Sequence, residues 1–296
     1  MVYSLVVLLR SEFSISLIFR VLGISKSAFY AWQRGENYPP KTEKSAVVKE
    51  VFEDNRKRYG ARRIVAELTE KGLKMGRFQV CSLMKSANLV AIQPKSFVPK
   101  TTDSRHHMKR SPNLLLTENG DRKRATRPHE ILVGDITYLP ILGGGFVYLA
   151  TFQDAFTRVI VGWELMKNMD TELVINALQK SINRNYVFQN TIIHTDGGGQ
   201  YASKRFRDLL KKHNLKQSMT RKNNHYDNAM GESFFSRAKS EVLENGVFDS
   251  FEDAYTEIFE YIEVYYNKKR RHSSIGYDFP ERFEKKWLEN DKKSYF

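Results

Sequence analysis

The sequence predicts an α/β core preceded by small all-α segments, and three observations carry that expectation. Apolar residues recur at helical spacing through residues 14–92, strand-like runs separated by glycine turns begin abruptly at residue 131, and strands and helices then alternate as far as residue 219. Of the 296 residues, 41% are hydrophobic and 12% aromatic, enough to bury a core and to exclude wholesale disorder. The length suggests two domains with small appendages.

The elements follow in order. In residues 14–34, Ile15, Ile18, Phe19 and Leu22 share one helical face, Gly23 breaks the pattern, and Ser25 is placed to cap a second helix carrying Phe29, Tyr30 and Trp32. This outlines a helix-turn-helix, although two core helices joined by a glycine turn fit the spacing equally well. Pro39 and Pro40 then punctuate the chain. A second helical segment starts near Thr42 with Val47, Val48, Val51, Phe52 and Asn55 on one side, followed by helices around Ile64–Leu68 and Val80–Met84. Residues 93–127 form a basic linker: Pro94, Pro99, Pro112 and Asn119-Gly120 interrupt any period, and basic residues cluster around Arg105–Arg110 and Arg122–Arg127. From residue 131 come three strands, expected to be antiparallel neighbours, with Gly143-Gly144-Gly145 turning between the first two. A helix near Thr171–Asn185, a short strand through His194, a helix near Ser203–His213, a strand ending at Met219 and the long helix that carries Glu232 complete a βββαβαβα order, hence a mixed sheet covered by helices. The expected domains are residues 1–40, 41–92, the linker 93–127, a core at 128–290 and a tail at 291–296.

Charge narrows the partners. The net charge is +14, and it is uneven: residues 1–130 carry 25 Lys and Arg against 12 Asp and Glu, whereas residues 131–296 carry 23 against 22. Such basicity points to a polyanion, with nucleic acid leading because no basic amphipathic segment of the membrane-surface kind is present. No apolar run approaches membrane-spanning length and no signal-like start is evident, so a cytoplasmic protein is expected. The single cysteine, Cys81, excludes an internal disulfide and a Cys-rich zinc site, and is expected to be a small buried hydrophobe. Gly197-Gly198-Gly199 lacks a following Lys-Ser/Thr, which disfavours a phosphate-cradling nucleotide loop.

Three carboxylates fall in telling places. Asp135 interrupts an apolar strand, Asp196 ends a strand directly before three glycines, and Glu232 lies in the first turns of a long helix. Each alone has an ordinary explanation as a solvated group, a turn former or a helix-surface residue. If the strands bearing Asp135 and Asp196 are neighbours, however, the carboxylates converge, and without a cation they would repel and raise at least one pKa. Oxygen-only ligation of this kind suits Mg²⁺, with Mn²⁺ able to substitute, and two ions about 3.5–4 Å apart can activate an attacking hydroxyl and stabilise a leaving oxygen.

Five strings surround these residues in fixed order: Asp135-Ile136-Thr137-Tyr138; His194-Thr195-Asp196-Gly197-Gly198-Gly199-Gln200-Tyr201; Tyr226-Asp227-Asn228-Ala229; Glu232-Ser233-Phe234-Phe235 with Lys239-Ser240-Glu241; and Tyr265-Tyr266-Asn267 through Arg271-His272-Ser273-Ser274. Together with Leu22–Trp32 and Tyr59–Ile64 they resemble the insertion-sequence transposases of the IS-three family, OrfB product, over roughly residues 14–290. The resemblance implies an RNase H-like integrase core in which Asp135, Asp196 and Glu232 form the DDE triad. It also implies metal-dependent cleavage and strand transfer at element ends, and a basic residue at Lys239. Seven residues past Glu232 on a helix is nearly two turns, so Lys239 shares its face about 10 Å along, within reach of DNA. Gln200, Tyr201, Arg221 and Asn228 are further candidate DNA contacts, with helix capping an equal alternative for Asn228. Asp154 lies outside the implied triad. The family also implies an OrfA partner or an OrfA–OrfB fusion and a homo-oligomer on DNA. Leu132, His225 and Thr195 depart from common family residues without removing a ligand. A DNA-binding regulator or catalytically decayed derivative is the rival reading, and composition does not separate the two.

Overall fold

A computed structural model describes residues 2–34, 41–93, 108, 110–116, 121–221, 229–243 and 246–293. Two compact units emerge, residues 1–91 and 92–296.

The first unit is all-helical. Helices α1 (Val2–Leu9), α2 (Ile15–Leu22) and α3 (Lys26–Gln33) enclose Val6, Ile18, Phe19 and Phe29. Gly23 closes α2 in the left-handed conformation, the turn expected there. Ser25 occupies the N-cap of α3, but its hydroxyl bonds Ser27 Oγ at 2.8 Å instead of a backbone amide. Helices α4 (Lys41–Asp54), α5 (Ala61–Glu70) and α6 (Arg77–Ser86) bury Val48, Val51, Phe52, Ile64, Leu68, Val80, Leu83 and Met84. Cys81 corrects the sequence reading: it is exposed. The buried stripe of α6 runs Val80, Leu83, Met84, and the residue after Val80 is rotated about 100° from that stripe.

The second unit is built on a five-stranded sheet, β1 (Ile131–Ile141), β2 (Gly145–Asp154), β3 (Ile160–Met166), β4 (Ile192–Thr195) and β5 (Lys216–Met219), in the order β3-β2-β1-β4-β5. The β1–β2 and β2–β3 pairs are antiparallel, while β4 pairs parallel with both β1 and β5, giving the expected mixed sheet. Side chains alternate along β2, with Val147 and Leu149 on one face and Tyr148, Ala150 and Phe152 on the other. Helices α7 (Thr171–Asn183), α8 (Gly199–Ala202) and α9 (Lys204–Lys212) cover the Phe152 face. The Leu149 face is covered by α10 (Ala229–Val242), α11 (Phe251–Phe259) and a π-helical turn at Glu260–Tyr266. Helix α12 (Pro280–Lys293) follows.

Local chemistry explains the boundaries. Asp170, Ser203 and Ser250 cap α7, α9 and α11 by accepting hydrogen bonds from the Leu173, Phe206 and Asp253 amides. The π-helical turn presents Asn267, whose side chain accepts from Ile160 N (2.9 Å) and donates to Ile160 O (3.1 Å), completing both backbone bonds at the start of β3. Glu241 of α10 forms a bidentate pair with Arg270 (2.8 and 2.6 Å) and accepts from Tyr261 Oη (3.0 Å), all buried. This arrangement ties α10 to the chain that follows α11.

Candidate active site

Asp135 sits in the central strand, and the parallel register pairs Val133 with His194. Two residues further along, the same register sets Asp135 beside Asp196, immediately past the end of β4. Adjacent strands lie about 4.8 Å apart, so carboxylates projecting from aligned positions stand close together. Asp196 is held by its own turn, Oδ1 accepting from Gly198 N at 3.0 Å, and Asp135 Oδ1 accepts from Ile136 N at 2.9 Å.

Helix α10 reaches the pair through Gly231. A β-carbon at that position would lie 2.8 Å from both Cβ and Oδ2 of Asp135, so the helix backbone rests directly on the Asp135 side chain. Glu232, next in sequence, is exposed, and its charge acts on Asp135. Electrostatics report the convergence: burial, then the charge of Asp196 and that of Glu232, push the Asp135 carboxyl well above its ordinary range. The Ile136 amide and Lys239 oppose this shift without cancelling it.

Lys239 lies partly buried on α10 with Nζ 4.5 Å from the centre of the Tyr138 ring. Burial lowers its pKa and Asp135 acts in the opposite direction, so the ammonium stands between an aromatic face and the carboxylate group. The helical spacing from Glu232 anticipated the position of Lys239. The part played by Tyr138 was missed, although it closes the Asp135 string on the same strand. Gly231 was missed too, and its signal was available: glycine in the first turns of a helix is disfavoured unless something approaches closely.

The other candidates divide. Tyr201 corrects the sequence reading of a DNA contact: it is 1% exposed, packed edge-on against Phe152 and Phe206. The short helix α8, absent from the sequence reading, turns it into the core. Its buried hydroxyl has no hydrogen-bond partner among the described residues, and burial followed by the charges of Asp196 and Asp135 raises its pKa well above normal. Gln200 donates to Met169 O at 3.2 Å, a tether to the segment ahead of α7. Arg221 is exposed just beyond β5, and Asn228 lies outside the described residues. His194 is buried with Nδ1 2.8 Å from Ser218 Oγ, a structural partner on β5.

A second cluster, His129, Asp154 and Glu284, has ligand-type atoms within 4.8 Å of one another. Asp154 Oδ1 accepts from Phe156 N and Thr157 N (2.7 and 2.8 Å), and Oδ2 accepts from His129 N (2.5 Å), so the turn before β3 occupies the carboxylate. His129 Nε2 meets Glu284 Oε1 at 2.9 Å, fastening α12 to the residues ahead of β1.

A mixed sheet in this strand order, with acidic residues on its central strand, on the adjacent parallel strand end and on the covering helix, defines an integrase-type polynucleotidyl transferase. Comparison with known proteins agrees. Residues 125–225 and 213–280 match families described as "Integrase core domain", and residues 41–97 match an "HTH-like domain". The chain is 36% identical over 284 residues to the transposase InsF for insertion sequence IS3A of Escherichia coli, covering 94% of this chain and 96% of that protein. It is 36% identical to the transposase for insertion sequence element IS904 of Lactococcus lactis, covering 81% and 93%. The chain belongs to the IS3 family of insertion-sequence transposases, DNA-integrating enzymes of the DDE type. Solved structures similar to it include the HTLV-2 integrase catalytic core domain in complex with magnesium, at 15% identity and a TM-score of 0.42 over 54% of this chain and 99% of that one.

Proposed function

We propose that this chain cuts and joins DNA at the ends of an insertion sequence through divalent ions held by Asp135, Asp196 and Glu232. What supports the reading most is the β1–β4 register that aligns the two aspartates, together with the packing of Gly231 on Asp135 and the charge of Glu232 acting there. The donor set is all oxygen, and the burial and like charges that push the Asp135 carboxyl up are what a divalent cation offsets, so the residues fit Mg²⁺ or Mn²⁺. When bound, such ions lower the pKa of an attacking hydroxyl and stabilise the leaving oxygen of an in-line displacement.

The chain's own residues supply the rest. Asp135 stands on the central strand and Asp196 in the turn directly after β4, held by the Gly198 amide, which fixes the geometry for positioning catalysis. Lys239, held against Tyr138, offers a cation to a phosphate beside the reacting one. Arg221 lies on the same strand-end surface, and the basic residues of 1–130 supply sequence-independent attraction to the backbone. The two helical segments, residues 1–40 and 41–92, act as separate DNA-facing domains on this reading. Among the described residues no helix is long and apolar enough to cross a membrane, which accords with a cytoplasmic protein working on DNA. The protein works as a homo-oligomer on DNA, with an OrfA product or OrfA–OrfB fusion supplying element-end recognition.

The test is a labelled duplex carrying the element's terminal repeat, incubated with Mg²⁺ and either wild type or Glu232→Gln. Wild type is expected to release a 3′-hydroxyl and join it to a second phosphodiester, and the variant to do neither. Cleavage without joining points to a nuclease. DNA binding without cleavage by either protein supports the regulator reading instead.

A further inference from the structure

Arg110 precedes the catalytic sheet by some twenty residues, yet its guanidinium occupies the space where a side chain on Gly197 would be. A β-carbon built on Gly197 would meet Arg110 Nη2 at 1.6 Å, Cζ at 2.0 Å and Nε at 2.5 Å. Gly197 follows Asp196 directly, so only a residue without a side chain lets this cation lie against the turn that carries a triad carboxylate. The placement is built by several contacts. Ser111 Oγ donates to Gln217 Oε1 (2.7 Å), Met219 N donates to Pro112 O (3.2 Å), and Leu114 N donates to Ser218 Oγ (2.9 Å), so residues 111–114 run along β5. Arg110 is thereby delivered to the carboxyl ends of β4 and β5, the side of a parallel sheet where ligands bind.

The guanidinium is underused there. Among the described residues its one hydrogen bond is a long one, Nη2 to Thr220 O at 3.5 Å, and it forms no ion pair. A partly buried cation with five donors and no counter-ion, beside a site for phosphoryl transfer, is matched to a phosphate, which guanidinium binds in bidentate fashion.

We propose that Arg110 binds a backbone phosphate of the DNA strand lying in the triad site. It thereby acts as a substrate-positioning contact contributed from ahead of the catalytic core. This rests on the DNA-joining reading above.

The test compares wild type, Arg110→Gln and Arg110→Lys on a terminal-repeat duplex. Without metal, the slope of log affinity against log salt is expected to be shallower by about one phosphate contact in Arg110→Gln and retained in Arg110→Lys. In Mg²⁺, Arg110→Gln is expected to need roughly tenfold more DNA for half-maximal joining, with the maximal rate within about twofold of wild type. The rise in melting temperature on adding Mg²⁺ is expected to be alike in all three proteins. An unchanged salt slope in Arg110→Gln overturns the proposal. So does loss of the Mg²⁺-induced rise in both variants, because Arg110 would then only brace the Asp196 turn. If Arg110→Gln fails to fold, Arg110→Ala takes its place: a slope shallower by about one contact upholds phosphate binding, and an unchanged slope overturns it. A wild type that neither cuts nor joins defeats the parent reading, while the metal-free slope still decides the role of Arg110.

Discussion

Gly231→Ala isolates the geometry of the site from its ligands. The added methyl would lie 2.8 Å from Cβ and Oδ2 of Asp135 and 3.2 Å from its Cγ. Carbon atoms in contact rest about 3.5–4.0 Å apart, so α10 must retreat by roughly 0.7 Å or Asp135 must swing away. Either movement separates Glu232 from the aspartates. Alanine favours a helix over glycine by about 1 kcal/mol, against an overpacking cost of about 1–3 kcal/mol, so net stability should fall by no more than about 2 kcal/mol. Reacting groups misplaced by about 1 Å can lose 100-fold in rate. Strand joining should therefore drop by roughly 10- to 100-fold with a small change in melting temperature, and the stabilisation by Mg²⁺ should shrink with it. Joining within twofold of wild type would show that the Gly231 contact does not set the site.

Tyr138→Leu removes the ring under Lys239 and should weaken joining roughly 2- to 30-fold, the equivalent of a cation–π contact of about 0.5–2 kcal/mol, while Tyr138→Phe stays near wild type. Glu241→Ala strands Arg270 in the core with 3% of its side chain exposed, and thermal unfolding should register a loss of about 3–5 kcal/mol; a shift of less than 1 kcal/mol refutes the structural role. Asp278 concerns the acid limit. Burial alone would raise its pKa, but hydrogen bonds from Lys286, Arg282 and the Phe279 amide outweigh it and hold the carboxyl below its ordinary 3.8. A lowered carboxyl stabilises the fold fully above that ordinary value and ceases to do so as pH falls through the lower folded value. Asp278→Asn should accordingly destabilise at neutral pH and flatten the acid limb of melting temperature against pH, and an unchanged limb contradicts the assignment.

Much of this was legible in the chain because the relevant signals are local. Strand alternation around Asp135, the glycine run after Asp196 and the seven-residue step from Glu232 to Lys239 each depend on short-range periodicity, and each element formed where expected. What was not legible depends on contacts distant in sequence. The alignment of Asp135 with Asp196 comes from a parallel register between strands about sixty residues apart. Tyr201 read as a candidate DNA contact, yet the four-residue helix α8 points it into the core. The string Tyr265-Tyr266-Asn267 carried a family resemblance without a physical role, and only the π-helical turn shows Asn267 completing the bonds of Ile160. Cys81 misled because burial tendency is an average, and helix phase decided otherwise.

The central claim is that three carboxylates act as one metal site for phosphoryl transfer. It is tested most directly by measuring Mg²⁺-dependent strand joining for Asp135→Asn, Asp196→Asn, Glu232→Gln and the triple variant, each checked for wild-type folding. If the residues act as a unit, every single variant should fall to the level of the triple variant, because the losses of groups acting together do not add. A single variant that keeps a substantial fraction of wild-type joining, or a triple variant far below all three singles, contradicts the account.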